Sequence, residues 1–214
     1  MADKFWYDVQ IDVQSALGTP QTVTAISQAS PGVVTHDGAA LSDGDYALMS
    51  VSGMNQLDDR VVRADAPGAS PTEFDLEGID TTNYPAFTSG SFEKITFGTS
   101  LGTVLEVEVT GGDPEFDDTS VVHRRQRTQA PTVVSPFVVT LTSKWDPSDA
   151  ALLALLAASE VAAERAVRVT LSDGSIFCFN GFVTCTMLPG GNFPNKVTTK
   201  IVFTSKGLNT VLPA

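Results

Sequence analysis

The 214-residue sequence predicts a mainly β protein, a β-sandwich or barrel carrying one α-helix, with a small all-β domain inserted near its N-terminal end. Three observations predict it. Apolar and polar residues alternate with a period of two in the first segment and in the last third of the chain. Between residues 21 and 97, short β-rich pieces are separated by turn clusters roughly every ten residues. Only one stretch, after Trp145, is built of strong helix formers. The expected organisation is an outer β domain of residues 1–20 and 98–214, with residues 21–97 as the insert.

In chain order, Phe5, Tyr7, Val9, Ile11 and Val13 alternate with Trp6, Asp8, Gln10 and Asp12, a strand with one apolar and one largely polar face. Gly18-Thr19-Pro20 ends it. The insert reads as TVTAIS, VVT, YALMSVSGM, RVVRADAPGASP and EFDLEGID, with SPG and HDGAALSDGD as turns. GTVLEVEVT is a strand. Gly111 to Pro136 then reads as a long irregular loop holding GGDPEFDD and HRRQR; a loop of that length inside a domain is usually functional.

FVVTLTSKW is a further strand. Asp146 is suited to cap a helix and Pro147 to begin it, which predicts a helix over about 147–163. The middle of that helix has no charge. It is either an internal Ala-rich helix or one packed both on its own sheet and on a neighbouring subunit. RAVRVTLSDGSIFCFNGFVTCTML and NKVTTKIVFTSKG are strands, with hairpin turns expected at Asp173-Gly174 and Asn180-Gly181. A two-residue turn at Asn180-Gly181 sets Phe179 opposite Phe182 and Cys178 opposite Val183, leaving Cys185 diagonal to Cys178 in poor geometry for a disulfide.

Charge and composition exclude several functions. The net charge is −12, and residues 21–97 hold 11 Asp and Glu against 3 Lys and Arg, so −8 of it lies in the insert. Such a chain is not a general binder of phosphate backbones. The basic knot HRRQR lacks interleaved aromatics that would stack bases. Cys178 and Cys185 match no zinc spacing and read as buried, reduced thiols of a protein made in a reducing cytoplasm. The N-terminus alternates rather than running from a basic segment into an apolar block, as a leader does. The longest apolar run, Ala150 to Ala158, is too short for a membrane span.

No nucleophile elbow, zinc-protease motif or Walker loop is present, and LSDGD lacks the spacing of a calcium loop. No enzyme activity, cofactor or metal site is expected. The acidic cluster Asp113, Glu115, Asp117 and Asp118 lies on the same loop as Arg124, Arg125 and Arg127. The arginines suit a solvated loop, or pairing with carboxylates within the loop or across a subunit contact.

Two stretches resemble known families. In the insert, the glycine-aspartate after the THDG turn, then SGMNQLDDR and FDLEGIDTTNY, are similar to the small β half-domain that flanks the catalytic cysteine of ubiquitin-activating enzymes. The insert has no cysteine, so thioester chemistry is excluded and a scaffold or decoration remains. The rest of the chain resembles the major tail tube protein of long, flexible-tailed (siphovirus-type) phages. KFWYDVQIDVQ, GGDPEFDDTS, WDPSDAALLALLAAS, RAVRVTLSDGSIFCFNGFVT and NKVTTKIVFTSKG carry the likeness through their order.

That resemblance implies a tail-tube β fold whose copies form rings of six, stacked into a hollow tube through which genome DNA passes into the host without specific binding. Implied partners are further copies of the chain and the tape-measure, tail-tip and terminator proteins. The implied location is the virion tail, assembled in the bacterial cytoplasm. On this reading, Asp113, Glu115, Asp117, Asp118, Arg124, Arg125 and Arg127 sit at a subunit or ring contact. Asp8, Asp12, Glu106 and Glu108 are candidates to line the channel, and the insert hangs on the outside. The alternatives are a tail terminator, which forms single rings, and a decoration or adhesion protein that binds the host surface.

Overall fold

The computed structural model describes residues 7–65, 70–121, 123, 125–186, 188–191 and 194–214. Among them the chain is mainly β with one α-helix. The first seven strands are β1 (Gln10–Leu17), β2 (Gln21–Ile26), β3 (Val33–His36), β4 (Tyr46–Ser52), β5 (Val61–Asp65), β6 (Glu73–Leu76) and β7 (Ser89–Ser100). Then come β8 (Val104–Thr110), β9 (Pro114–Asp118), β10 (Gln129–Val134), β11 (Val138–Lys144) and the helix α1 (Ala150–Glu160). β12 (Glu164–Thr170), β13 (Ile176–Cys185), β14 (Thr198–Ser205) and β15 (Thr210–Leu212) complete the order.

The long strand β7 belongs to two structures at once. Its first half pairs with β4 on one side and β2 on the other, and β2–β3–β6–β5–β4–β7 closes into a six-stranded barrel. Closure leaves no free edge for stray pairing. Alternate strand residues point inward, so Val34, Met49, Phe74, Leu76 and Phe92, with Leu57 from the turn after β4, form a hydrophobic core of its own. The second half of β7 pairs with β1, and the body sheet continues β1–β12–β13–β14–β11–β8, with β15 on the end of β13. One face of this sheet packs under α1 around Ile11, Val13, Leu141, Leu152, Ile201 and Phe203.

A third cluster, Tyr46, Val61, Ile95, Ala166 and Cys178, welds the barrel to the opposite face of the body sheet. Polar contacts reinforce it. Arg60 Nε donates to Thr210 Oγ1 at 3.0 Å, and Thr210 in turn hydrogen-bonds the Val61 carbonyl. A Cβ on Gly207 would lie 2.5 Å from the Asp59 carbonyl oxygen, so the chain crosses the barrel here as glycine.

Four expectations are corrected. Asp12 and Gln14 are buried on β1, because the barrel covers the face on which they stand; Phe5 and Trp6 lie outside the described residues. The helix starts three residues late. Asp149, not Asp146, is its cap and accepts from the amides of Ala151 at 2.9 Å and Leu152 at 3.2 Å. Asp146 instead closes the preceding turn by accepting from Ser148. The helix ends at Glu160, and Ala162, with φ 48°, turns the chain out while the Ala163 amide bonds back to the Ala158 carbonyl.

Asn180-Gly181 is not a turn but the middle of the continuous strand β13. Gly181 is needed for close approach: a Cβ there would meet the Thr204 carbonyl oxygen at 2.4 Å. Cys178 and Cys185 are therefore on one strand, both buried and both free. Finally, the stretch 111–136 is not irregular. Most of it is the hairpin β9–β10, a two-stranded sheet separate from the rest. The hairpin at Asp173-Gly174 is present, with Gly174 at φ 88°.

Candidate assembly interface

The hairpin β9–β10 is an arm. Every residue of β9 is exposed, and all of β10 except the half-buried Ala130. An isolated two-stranded ribbon is at best marginally stable in water. The arm nonetheless carries a surplus of apolar surface, with Phe116 57%, Val133 61% and Val134 62% exposed. Gly111 and Gly112, both at φ 82°, set its departure from the body, and a Cβ on Gly111 would lie 2.5 Å from the Pro136 carbonyl oxygen.

Strand alternation puts Glu115 and Asp117 on one face of the ribbon and Phe116 and Asp118 on the other. Asp113 sits at the base, its carbonyl accepting from the amide and hydroxyl of Ser135. Hydrogen bonds from Ser120 hold the Asp118 carboxyl below its ordinary pKa. Arg125 and Arg127 lie in the tip, beyond the Thr119–Thr128 closure, and Arg124 lies outside the described residues. Among the described residues, no salt bridge joins the arm's carboxylates to Arg125 or Arg127. The arm brings acid and base close in sequence without an ion pair among its described residues.

The body sheet offers a second surface. The face opposite α1 is covered by the barrel at the β1–β12 end and open at the β14–β11–β8 end. There, register places Glu106, Thr142 and Lys200 in one row and Glu108, Thr140 and Val202 in the next. Glu106, Glu108 and Lys200 are exposed, and the threonines between them are half-buried. β8 is the outermost strand of the sheet, and its outer edge has no partner strand among the described residues. Asp8 is exposed and lines, with Glu106, a cleft of about 420 Å³ below this edge.

Of the channel-lining candidates, then, Asp8, Glu106 and Glu108 are at the surface and Asp12 is not. Asp12 is 4% exposed and tied to Arg168, whose guanidinium lies over the rings of Tyr46 and Phe97 at 5.2 and 4.9 Å. Burial acts to raise the Asp12 pKa, but hydrogen bonds from Ser100, Arg168 and Gln10 outweigh it and hold the carboxyl below its usual value. This joint was not legible from alternation alone, because the pattern shows that Asp12 and Arg168 share a face but not that a barrel covers it.

A third surface is the outer side of α1. Ala150, Leu153, Ala154, Ala157 and Val161 form an exposed apolar stripe, with Leu153 47% and Val161 74% exposed, and the exposed Glu160 beside its C-terminal end is the one charge there. The sequence contained this signal as the missing polar face.

A β body with an edge strand, an exposed arm and a largely apolar outer helix face is the build of a structural protein rather than of an enclosed catalytic site. Among the described residues, no group of His, Cys, Asp and Glu is placed to hold a metal ion, and no helix is long and apolar enough to cross a membrane. Residues 52–214 match the family of phage tail tube proteins (TTP), and the chain belongs to that family. It is a structural component of a phage tail. The match starts inside the barrel and runs through the body without a break. No curated protein matches the chain.

Proposed function

We propose that copies of this chain close head-to-tail into hexameric rings, and that the rings stack into the hollow tail tube of a long, flexible-tailed phage. The tube conducts the genome into the host cell. The observation that carries this reading is the arm, an exposed ribbon with apolar and charged residues that no described part of its own chain covers. A head-to-tail contact that closes makes a ring, and contacts that repeat along an axis make a filament. The free edge of β8 suits sheet continuation between subunits of a ring. The arm suits the reach from one ring to the next.

The open face bearing Glu106, Glu108 and the threonines faces the channel, with Asp8 at its margin. A hydroxyl-rich wall with weak negative charge does not hold phosphate and lets DNA slide. The arginines of the arm tip stay away from the channel, where they would slow the DNA. The barrel, which resembles the half-domain of ubiquitin-activating enzymes, covers the β1–β12 end of the same sheet face and lies outboard of the channel wall, as a decoration. Assembly takes place in the host cytoplasm with tape-measure, tail-tip and terminator proteins.

The test is the triple substitution of Arg124, Arg125 and Arg127 to Glu. The variant should fold as a monomer and fail to grow tubes. Tubes that grow normally from it, with faster DNA passage, would place the arginines in the channel instead.

A further inference from the structure

Where the barrel meets the body there is a pocket of about 250 Å³, open to solvent, whose lining mixes charged and polar residues with Leu17, Leu48 and Met49. Asp59, Glu93, Glu164, Asn180 and Lys206 line it. Lys206 Nζ bridges Asp59 at 3.1 Å and Glu164 at 3.0 Å. With three carboxylates against one ammonium, the pocket keeps a net charge of −2.

Asn180 is completely buried. Its Nδ2 donates to Glu164 Oε2 at 3.3 Å, and its Oδ1 has no hydrogen-bond partner within the chain. Buried carbonyl oxygens are rarely left so, and this one calls for a donor. Glu93 takes part in no salt bridge among the described residues. The site is thus short of positive charge, with the single ammonium of Lys206 against three carboxylates.

The arm tip supplies that charge on N–H donors. Arg60, Arg63, Arg165 and Arg168 are each engaged by a partner in their own chain. Arg125 and Arg127 have no salt bridge among the described residues and are exposed. A guanidinium presents a planar fork of five N–H donors, which suits a mixed lining of carboxylate and amide oxygens better than an ammonium does.

We propose that this pocket is the socket for an arm arginine, Arg125 or Arg127, of a second copy. The inference rests on the tube reading and deepens it by naming the two surfaces that meet. The barrel is then more than an outer ornament, since Asp59 and Glu93 are contributed by barrel segments, and Glu164 and Asn180 by the body. The joint between barrel and body makes the socket.

Charge exchange tests it. The arm variant R125E/R127E and the socket variant E93K should each melt as the unmodified monomer does and each slow tube growth at least tenfold. The combined triple variant should recover growth to within about threefold of the unmodified chain. Triple-variant growth no faster than that of the weaker parent would overturn the socket, as would E93K tubes that grow at the normal rate.

A second measurement does not depend on tolerance of reversed charge. With cysteine at Arg127 and at Glu93 in a mixture of the two single variants, mild copper-catalysed oxidation of assembled tubes should give chain-to-chain disulfides that neither variant gives alone. Assembled tubes without that product would overturn the socket while the tube reading stands. Spermidine bound stoichiometrically by the monomer and lost in E93K, with tubes indifferent to the arm arginines, would assign the pocket to a free polyamine and overturn it too. Failure of the unmodified chain to assemble at all would overturn the tube reading and the socket with it.

Discussion

Arg168 donates two hydrogen bonds to one carboxylate oxygen of Asp12, from Nε at 3.1 Å and from Nη2 at 2.6 Å. The two residues face each other across β1 and β12, beneath the rings of Tyr46 and Phe97. Replacing Asp12 by Ala leaves the guanidinium stacked but uncompensated. Loss of one partner of a buried pair costs about 3–5 kcal/mol, and the partial exposure of Arg168 puts this case near about 3 kcal/mol. Urea denaturation of the monomer checks the value. The Asp12 carboxyl is held low in the folded state, so its contribution is present above the unfolded carboxylate pKa and is lost as pH falls through the lower folded value.

His36 makes the barrel sensitive to acid. The ring is 3% exposed, packed against Phe74 and edge-on to Phe92 at 5.1 Å, and its Nδ1 accepts from the Gly38 amide at 3.2 Å. Burial lowers its pKa, and the charge of Asp37 only partly opposes this. The unfolded chain therefore takes up the proton first. Stability is full above the ordinary histidine value near 6.5 and falls as pH drops from there toward the folded value. Thermal melts of the unmodified chain should shift downward as pH falls below the ordinary histidine value near 6.5, and those of His36→Gln should shift less. Equal shifts would remove His36 from this role.

Gly181 tolerates no side chain. In Gly181→Ala the new methyl would meet the Thr204 carbonyl oxygen, a backbone atom that can move only if β14 moves. Overpacking of this kind costs about 1–3 kcal/mol. Gly102 has open space around its Cβ position, so Gly102→Ala is the control and should leave the melting temperature nearly unchanged.

The exposed stripe of α1 should matter only in the assembled state. Leu153→Glu places a charge on a surface that is already solvated in the monomer, so monomer stability should change by less than about 0.5 kcal/mol. Tube growth, followed by light scattering, should slow at least tenfold. A variant that assembles normally would show that the stripe stays in solvent.

Strand positions were largely legible because period-two alternation is a local signal. TVTAIS, YALMSVS and VVRAD became β2, β4 and β5 almost residue for residue. The errors came where long-range packing overrides local chemistry. Asn180-Gly181 has turn chemistry, yet the strand passes straight through, because a glycine was required by β14 and not by a bend. Asp146-Pro147 has cap chemistry, but Asp149 sits where its carboxylate reaches two free amides. Asp12 reads as an outward polar residue and is inward because a barrel encoded elsewhere in the chain covers it. The arm's charges were visible in the sequence; that they form a ribbon was hidden by its prolines, of which Pro131 is accommodated opposite Phe116. The pocket at the joint draws on residues from 14 to 206 and left no local trace.

The most direct test of the central claim is electron microscopy of the purified, concentrated chain, alone and with a tail-tip complex added. Long hollow tubes with sixfold rings and a regular axial repeat are the predicted result. Single rings that never stack, or monomers that stay dispersed even with the tip complex, would contradict it.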